Sequence, residues 1–291
     1  MFGMELVCLA IVAFYLGSRL VRLSSRRERL GLLGRFGALS MGAAAGESSM
    51  IRLYGAYHYA SSWSVFVDCV PLVVVLIWPV VIDSAAMLAR RLTSDASART
   101  SRSLLRVSLV TAAIVLADAS LIEPIAVRAG LWVWSEPGLF DVPLYGIAGW
   151  AIFSGLAIAL LERGLTGPMV VLAPVGTHFV IQLLYWSVFR WVRGVAPPAA
   201  TVATAWIVLT AAAFLAWRVG RRVPLVDVML RAPGAIFFFV LLAFLPDEGG
   251  ARSWLIAYAG AFAAPYLALI VSRARAYFTR DRRGPTPNEA T

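Results

Sequence analysis

Apolar stretches long enough to cross about 30 Å of hydrocarbon recur from one end of this chain to the other. Lipid offers no partner for backbone N–H and C=O groups, so crossings of this length have to be helices that satisfy their own hydrogen bonds. Spans are predicted near 3–18, 37–54, 65–89, 104–126, 139–161, 168–188, 200–217, 232–246 and 252–271. Nothing of domain size lies between them, and only 14% of the residues are charged against 60% hydrophobic. The expected fold class is therefore all-α: a polytopic helical integral membrane protein with about nine crossings, or eight if segment 36–54 only re-enters. Residues 1–272 form the transmembrane domain. Residues 273–291, which end in a Gly284-Pro285-Thr286-Pro287 run, read as a basic, disordered cytoplasmic tail able to touch anionic headgroups.

Charge supplies orientation. The net charge of +10 comes from 26 arginines and no lysine. These arginines punctuate spans rather than form a basic face, which argues against nucleic acid as a partner. Clusters at 19–35, 90–106, 218–231 and 273–283, with Arg163, place 21 of the 26 arginines on one side of alternating crossings. The positive-inside bias then puts the N-terminus outside and the C-terminus in the cytoplasm of a bacterial inner membrane. The first span has its arginines after the apolar stretch, so it is expected to be a retained helix rather than a cleaved signal. Cys8 and Cys69 match no metal or redox spacing and read as packing thiols.

Within the first half a pattern occurs twice. Glu47, Tyr57-His58-Tyr59, Val70-Pro71-Leu72 and Trp78 are followed by Glu123, Trp132-Val133-Trp134, Val142-Pro143-Leu144 and Trp150. The Pro-to-Trp spacing is seven in both copies. Each copy, about 40–80 and 115–152, reads as helix, external aromatic loop and helix. The charge count gives both the same direction across the membrane, so the duplication is parallel. Ionisable groups inside spans are costly and mark function, so Glu47 and Glu123 are expected to face one cavity.

The second copy also carries Asp118. Residues five apart on an ideal helix point about 140° away from each other, but Pro124 removes a helical hydrogen bond and offers a kink that would turn Asp118 and Glu123 toward the same space. A carboxyl in a low-dielectric site with a second carboxyl nearby keeps its proton at neutral pH, and such an acid can protonate a weakly basic substrate. The aromatics Tyr57, Tyr59, Trp132, Trp134, Trp78 and Trp150 either form an interfacial belt or present faces that stabilise a cation along a groove for a long apolar substrate. His178 reads as a buried hydrogen-bonding residue or a relay for water or protons, and His58 as exposed. With two histidines in all, no set of ligands for a di-iron centre exists, and no diphosphate or glycine-rich phosphate motif is present. The expected chemistry needs no metal and no cofactor.

The run Asp118 to Trp150, with Glu123-Pro124, Trp132-x-Trp134, Val142-Pro143 and Gly149-Trp150, resembles the carotenoid biosynthesis membrane-protein family. That family includes the CruF-type carotenoid 1,2-hydratases, among them γ-carotene 1′-hydroxylase and bisanhydrobacterioruberin hydratase. Glu47, Gly55-x-Tyr57-x-Tyr59, Val70-Pro71 and Trp78 fit the same pattern, so the resemblance covers about residues 40–155. It departs at Gly146, where the family usually carries an asparagine suited to holding water or orienting an acid. The resemblance implies water addition across the terminal C1=C2 bond of an acyclic, ψ-end carotenoid. The proton would come from Glu123 or Asp118, with Glu47 assisting, while His178 and the six aromatics contact the substrate. Implied partners are that carotenoid, membrane lipid and other enzymes of the pathway. A lycopene-cyclase-like enzyme begins with the same protonation, although Glu123-Pro124 is not the Pro-x-Glu-Glu arrangement of those cyclases. A non-catalytic carotenoid scaffold or carrier is the third reading.

Overall fold

Eight helical stretches are long and apolar enough to cross a membrane among the described residues, which in this computed structural model are 1–93, 100–192, 197–220, 223–247 and 250–281. They are α1 (Phe2–Leu20), α3 (Leu72–Thr93), α4 (Ser101–Arg128), α5 (Leu144–Leu161), α6 (Thr166–Ser187), α7 (Pro198–Val219), the broken pair α8 (Leu225–Met229) with α9 (Ala232–Phe244), and α10 (Ala251–Asp281). The ninth predicted crossing, α2 (Arg26–Tyr54), is less apolar but has 29 residues, about 43 Å of helix at 1.5 Å per residue.

Contacts at its two ends show that α2 packs lengthwise against the neighbouring helices. Near its start Arg35 meets Asp83 of α3 at 3.0 Å and Glu162, just past α5, at 3.5 Å. Near its end Tyr54 lies against His178 of α6, with ring centroids 5.4 Å apart. Part of its composition follows from the one face it packs against other helices, with Ala38, Leu39, Gly42 and Ala43 buried. Gly42 leaves 3.6 Å between a would-be Cβ and the Val170 backbone, and Gly46 faces Pro174. Small residues of this kind let helices approach closely in membranes, where van der Waals packing drives association. The molecule is thus an all-α polytopic membrane protein. Its outward faces, with Val171, Phe179, Ile207, Leu215 and Ile236, are exposed and apolar.

Several boundaries differ from the predicted spans. Helix α2 begins at Arg26 rather than 37, because Ser25 and Glu28 close a reciprocal capping box that satisfies orphan N–H groups. It ends at Gly55, whose φ of 56° suits a residue without Cβ. Spans 65–89 and 139–161 start late, at Leu72 and Leu144, since the residues before them fold as short turns of strand. The predicted aromatic loops also contain strands: β1 (Tyr57–Tyr59), β2 (Phe66–Val67), β3 (Val70–Pro71) and β4 (Trp132–Trp134). Helix α10 continues to Asp281, past residue 273 where the tail was expected to begin. The tail residues 282–291, like Arg99, Arg193, Arg221 and Arg222 of the arginine count, lie outside the described residues.

The two sequence copies obey a local two-fold. Strand β1 pairs antiparallel with β4, with Tyr57 opposite Trp134, His58 opposite Val133 and Tyr59 opposite Trp132. Each residue therefore faces the counterpart of its own mirror position. The flanking bonds repeat the symmetry: Ala60 N–H donates to the Leu131 carbonyl at 3.0 Å and Ser135 N–H to that of Ala56 at 2.9 Å. Val67 opposite Val70 in the first copy matches Leu139 opposite Val142 in the second. The turns match too, with positive φ at Asp68 (59°) and Phe140 (49°). Identical patches meeting across a two-fold form an isologous contact, here inside one chain and with both copies running the same way through the membrane.

Two apolar cores flank this axis. One joins α2, α3, α5 and α6 through Leu39, Ile82, Ile158 and Met169; the other joins α4, α7, α9 and α10 through Ile125, Leu209, Leu242 and Ala259. At the arginine-rich end Asp83 is buried and accepts from Tyr15 as well as Arg35, Arg90 pairs with Glu162, and Arg91 meets Asp227 at 3.2 Å. Breaking a buried ion pair strands a charge and costs about 3–5 kcal/mol. We expect Asp83→Ala to lower the thermal unfolding temperature in detergent markedly, and an unchanged unfolding curve would remove this cluster from the account of stability.

Candidate active site

Between the two cores lies a cavity of about 380 Å³ lined by residues from both sequence copies and from α1, α6, α9 and α10. The aromatic-x-aromatic pattern explains how its roof is built. In a strand, alternate side chains share a face, so Tyr57 and Tyr59 point inward while His58 is exposed, and Trp132 and Trp134 point inward while Val133 is exposed.

The inward aromatics converge on the two glutamates. Glu123 of α4 is 2% exposed. Its Oε2 accepts from the indole N–H groups of Trp132 at 2.8 Å and Trp134 at 3.0 Å, and its Oε1 from that of Trp150 at 2.7 Å. Glu47 of α2 is bound in the equivalent way. Its Oε2 accepts from the hydroxyls of Tyr57 and, at 2.9 Å, Tyr59, and its Oε1 from the Trp78 indole N–H at 3.0 Å. The same three sequence positions of each copy thus hold each copy's carboxyl. On the axis between them Trp78 and Trp150 pack with centroids 4.3 Å apart and planes tilted by 36°, and the Tyr57 ring centroid lies 4.5 Å from that of Trp134. Hydrogen bonds to a charged group contribute about 1.5–3 kcal/mol each, so three donors offset much of the cost of sinking a carboxylate into an apolar wall. Burial pushes the Tyr59 phenol well above its usual range, so it serves as a neutral hydroxyl.

The structure gathers every sequence-predicted site residue around this cavity: Glu47, Glu123, Asp118, Tyr57, Tyr59, Trp78, Trp132, Trp134, Trp150 and His178 all line it. Their partners differ. Asp118, about 7.5 Å along α4 from Glu123 at 1.5 Å per residue, pairs with Arg231 and lies 3.4 Å from the Tyr266 hydroxyl. Arg231 also donates to Ser84 Oγ at 2.7 Å and Tyr266 Oη at 3.0 Å. Arg231 belongs by charge pattern to the cluster at the arginine-rich face; its side chain instead turns inward, 7% exposed, at the break between α8 and α9. Helix α4 is continuous through Pro124. His178 shares a 2.6 Å hydrogen bond with Ser49 Oγ, which ties α6 to α2 beside Glu47.

Arg231, Tyr266, Tyr145 and the Phe237-Phe238-Phe239 run of α9 also line the cavity, although none of them belongs to the repeated sequence pattern. Arg231 carried a usable signal, as a lone arginine immediately before an apolar helix with an unpaired aspartate in an earlier span.

Gly146 stands where the resemblance calls for asparagine, and the geometry shows what glycine permits. A Cβ there would come within 2.6 Å of the Trp134 ring, the ring whose N–H binds Glu123. We expect Gly146→Asn to push Trp134 off the carboxyl at a cost of about 1–3 kcal/mol. A lowered unfolding temperature and altered tryptophan fluorescence check this, and unchanged values of both would refute it.

Comparison with known proteins agrees with the geometry. A family model described as carotenoid biosynthesis protein matches residues 3–216, from α1 into α7 and including both glutamate-bearing copies. No curated protein matches the chain, and no solved structure does. With a match over more than two thirds of its length, this chain belongs to the carotenoid biosynthesis protein family.

Proposed function

We propose that this membrane enzyme adds water across the terminal C1=C2 bond of an acyclic carotenoid by acid catalysis. The observation that carries the reading is the pair of carboxyls, Glu47 and Glu123, each ringed by aromatic hydrogen-bond donors at one end of a predominantly apolar cavity. A carboxyl of the pair gives its proton to C2, a tertiary cation forms at C1, water adds to C1, and the proton lost by that water returns to a carboxylate. Atoms balance as alkene plus water to tertiary alcohol, with no redox partner. The faces of Trp78, Trp150, Tyr57 and Trp134 supply π-electron density of the kind that attracts cations, and the apolar walls keep stray water from the polyene. By the positive-inside bias, the acid pair belongs to the half of the membrane away from the cytoplasm.

Expression in a lycopene-producing bacterial host, followed by mass spectrometry of the pigments, tests the reaction. A gain of one or two waters is the expected result. New pigment of unchanged mass means capture by an internal double bond, hence cyclisation, and bound but unaltered carotenoid means a carrier.

A further inference from the structure

The two carboxyls occupy equivalent places but have unlike partners, and the difference bears on where a proton can sit. The three hydrogen-bond partners of Glu123 among the described residues are all indole N–H groups, which donate and never accept. Two of them fill Oε2. A proton on Oε2 would compete with two indoles, and a proton on Oε1 would find no acceptor among these three partners. A neutral acid could still accept from the indoles through its remaining lone pairs, but its own O–H would have none of these three partners to donate to. The carboxylate is therefore the form that matches a shell of donors alone. Glu47 faces one indole and two phenol hydroxyls, and a hydroxyl both donates and accepts. Rotation of the Tyr57 or Tyr59 O–H lets that oxygen receive a proton carried by Glu47 Oε2, while the Trp78 bond to Oε1 stays in place.

The remaining acid on the cavity wall is committed elsewhere, since Asp118 is ion-paired with Arg231. Buried charges are tolerated when paired and hydrogen-bonded, and this pair leaves the cavity's chemistry to the two glutamates.

We propose that Glu47 is the proton donor and that Glu123 remains a carboxylate throughout, as the fixed counter-charge for the tertiary cation. This rests on the hydration reading. Glu47 gives its proton to C2 and, now a carboxylate, takes one from the water that bonds to C1, so one residue closes the cycle. Glu123 neither gains nor loses a proton. Its charge is pre-oriented by three donors, which is the form of electrostatic stabilisation that costs no reorganisation during reaction. The substitution of phenols for indoles between the copies is thus the feature that divides the work.

Infrared difference spectroscopy of the purified protein at neutral pH reads the proton directly. The carbonyl stretch of a protonated carboxylic acid, identified by its shift in heavy water, is expected to vanish in Glu47→Gln and persist in Glu123→Gln. Water addition is expected to fall at least about 100-fold in both variants, the order attributed to a positioned acid. A band that persists in Glu47→Gln and disappears in Glu123→Gln overturns the assignment, as does full activity in Glu47→Gln. Should Glu123→Gln fail to fold, the band's response to Glu47→Gln alone still decides. Wild-type protein that shows the band but adds no water overturns the hydration reading instead, and with it the catalytic role.

Discussion

Glutamine at position 123 is expected to reduce water addition by about 10²–10³-fold, the loss typical when a group aimed at a developing charge is removed. The amide matches the carboxylate in shape, so the fall comes from charge and from donor count. Trp132, Trp134 and Trp150 each bring an N–H to this side chain. An amide has one oxygen and an NH₂ group, which leaves at least one indole facing another donor. A buried donor left unsatisfied costs about 1–3 kcal/mol, so thermal stability falls as well. At Glu47 the same substitution is gentler, because an amide N–H can donate to the Tyr57 or Tyr59 oxygen. Parallel melting curves and turnover by mass spectrometry check the contrast: Glu123→Gln loses activity and stability, Glu47→Gln activity with little stability. Full turnover in Glu123→Gln would remove this residue from the mechanism.

Much of this arrangement was legible in the sequence because it is written twice. A glutamate, two aromatics one residue apart, Val-Pro and a tryptophan recur in order, and it is these residues that meet around the cavity. What the sequence did not disclose is how the copies meet. The inference of aromatic loops missed the strands, since three residues are too short for an alternation signal and the partner of Tyr57 is Trp134, outside any local window. The first eleven residues of helix α2 fall outside the predicted span because hydropathy tracks lipid contact. Residues 26–36 instead cap the helix and feed Arg35 into an ion cluster, and Gly42 and Gly46 face protein rather than lipid. The pairing of Asp118 with Arg231 spans 113 positions. Periodicity cannot report such a contact, so charge counting left Arg231 at the membrane face.

That hidden pair carries the second large effect. Asp118→Ala leaves the Arg231 guanidinium in an apolar cavity wall with Ser84, Tyr266 and the Val81 carbonyl but no counter-charge. Removing one partner of a buried ion pair typically costs about 3–5 kcal/mol, whereas replacing both with apolar residues of similar volume is often neutral or stabilising. Asp118→Ala is therefore expected to unfold at much lower temperature, and Asp118→Leu with Arg231→Met to recover most of the loss. The double variant separates position from chemistry at Asp118. If the pair only fixes the α8–α9 break against α3, α4 and α10, water addition returns with stability. If stability returns and turnover does not, Asp118 or Arg231 acts on the reaction itself, and the division of labour between Glu47 and Glu123 must be extended to this deeper pole of the cavity.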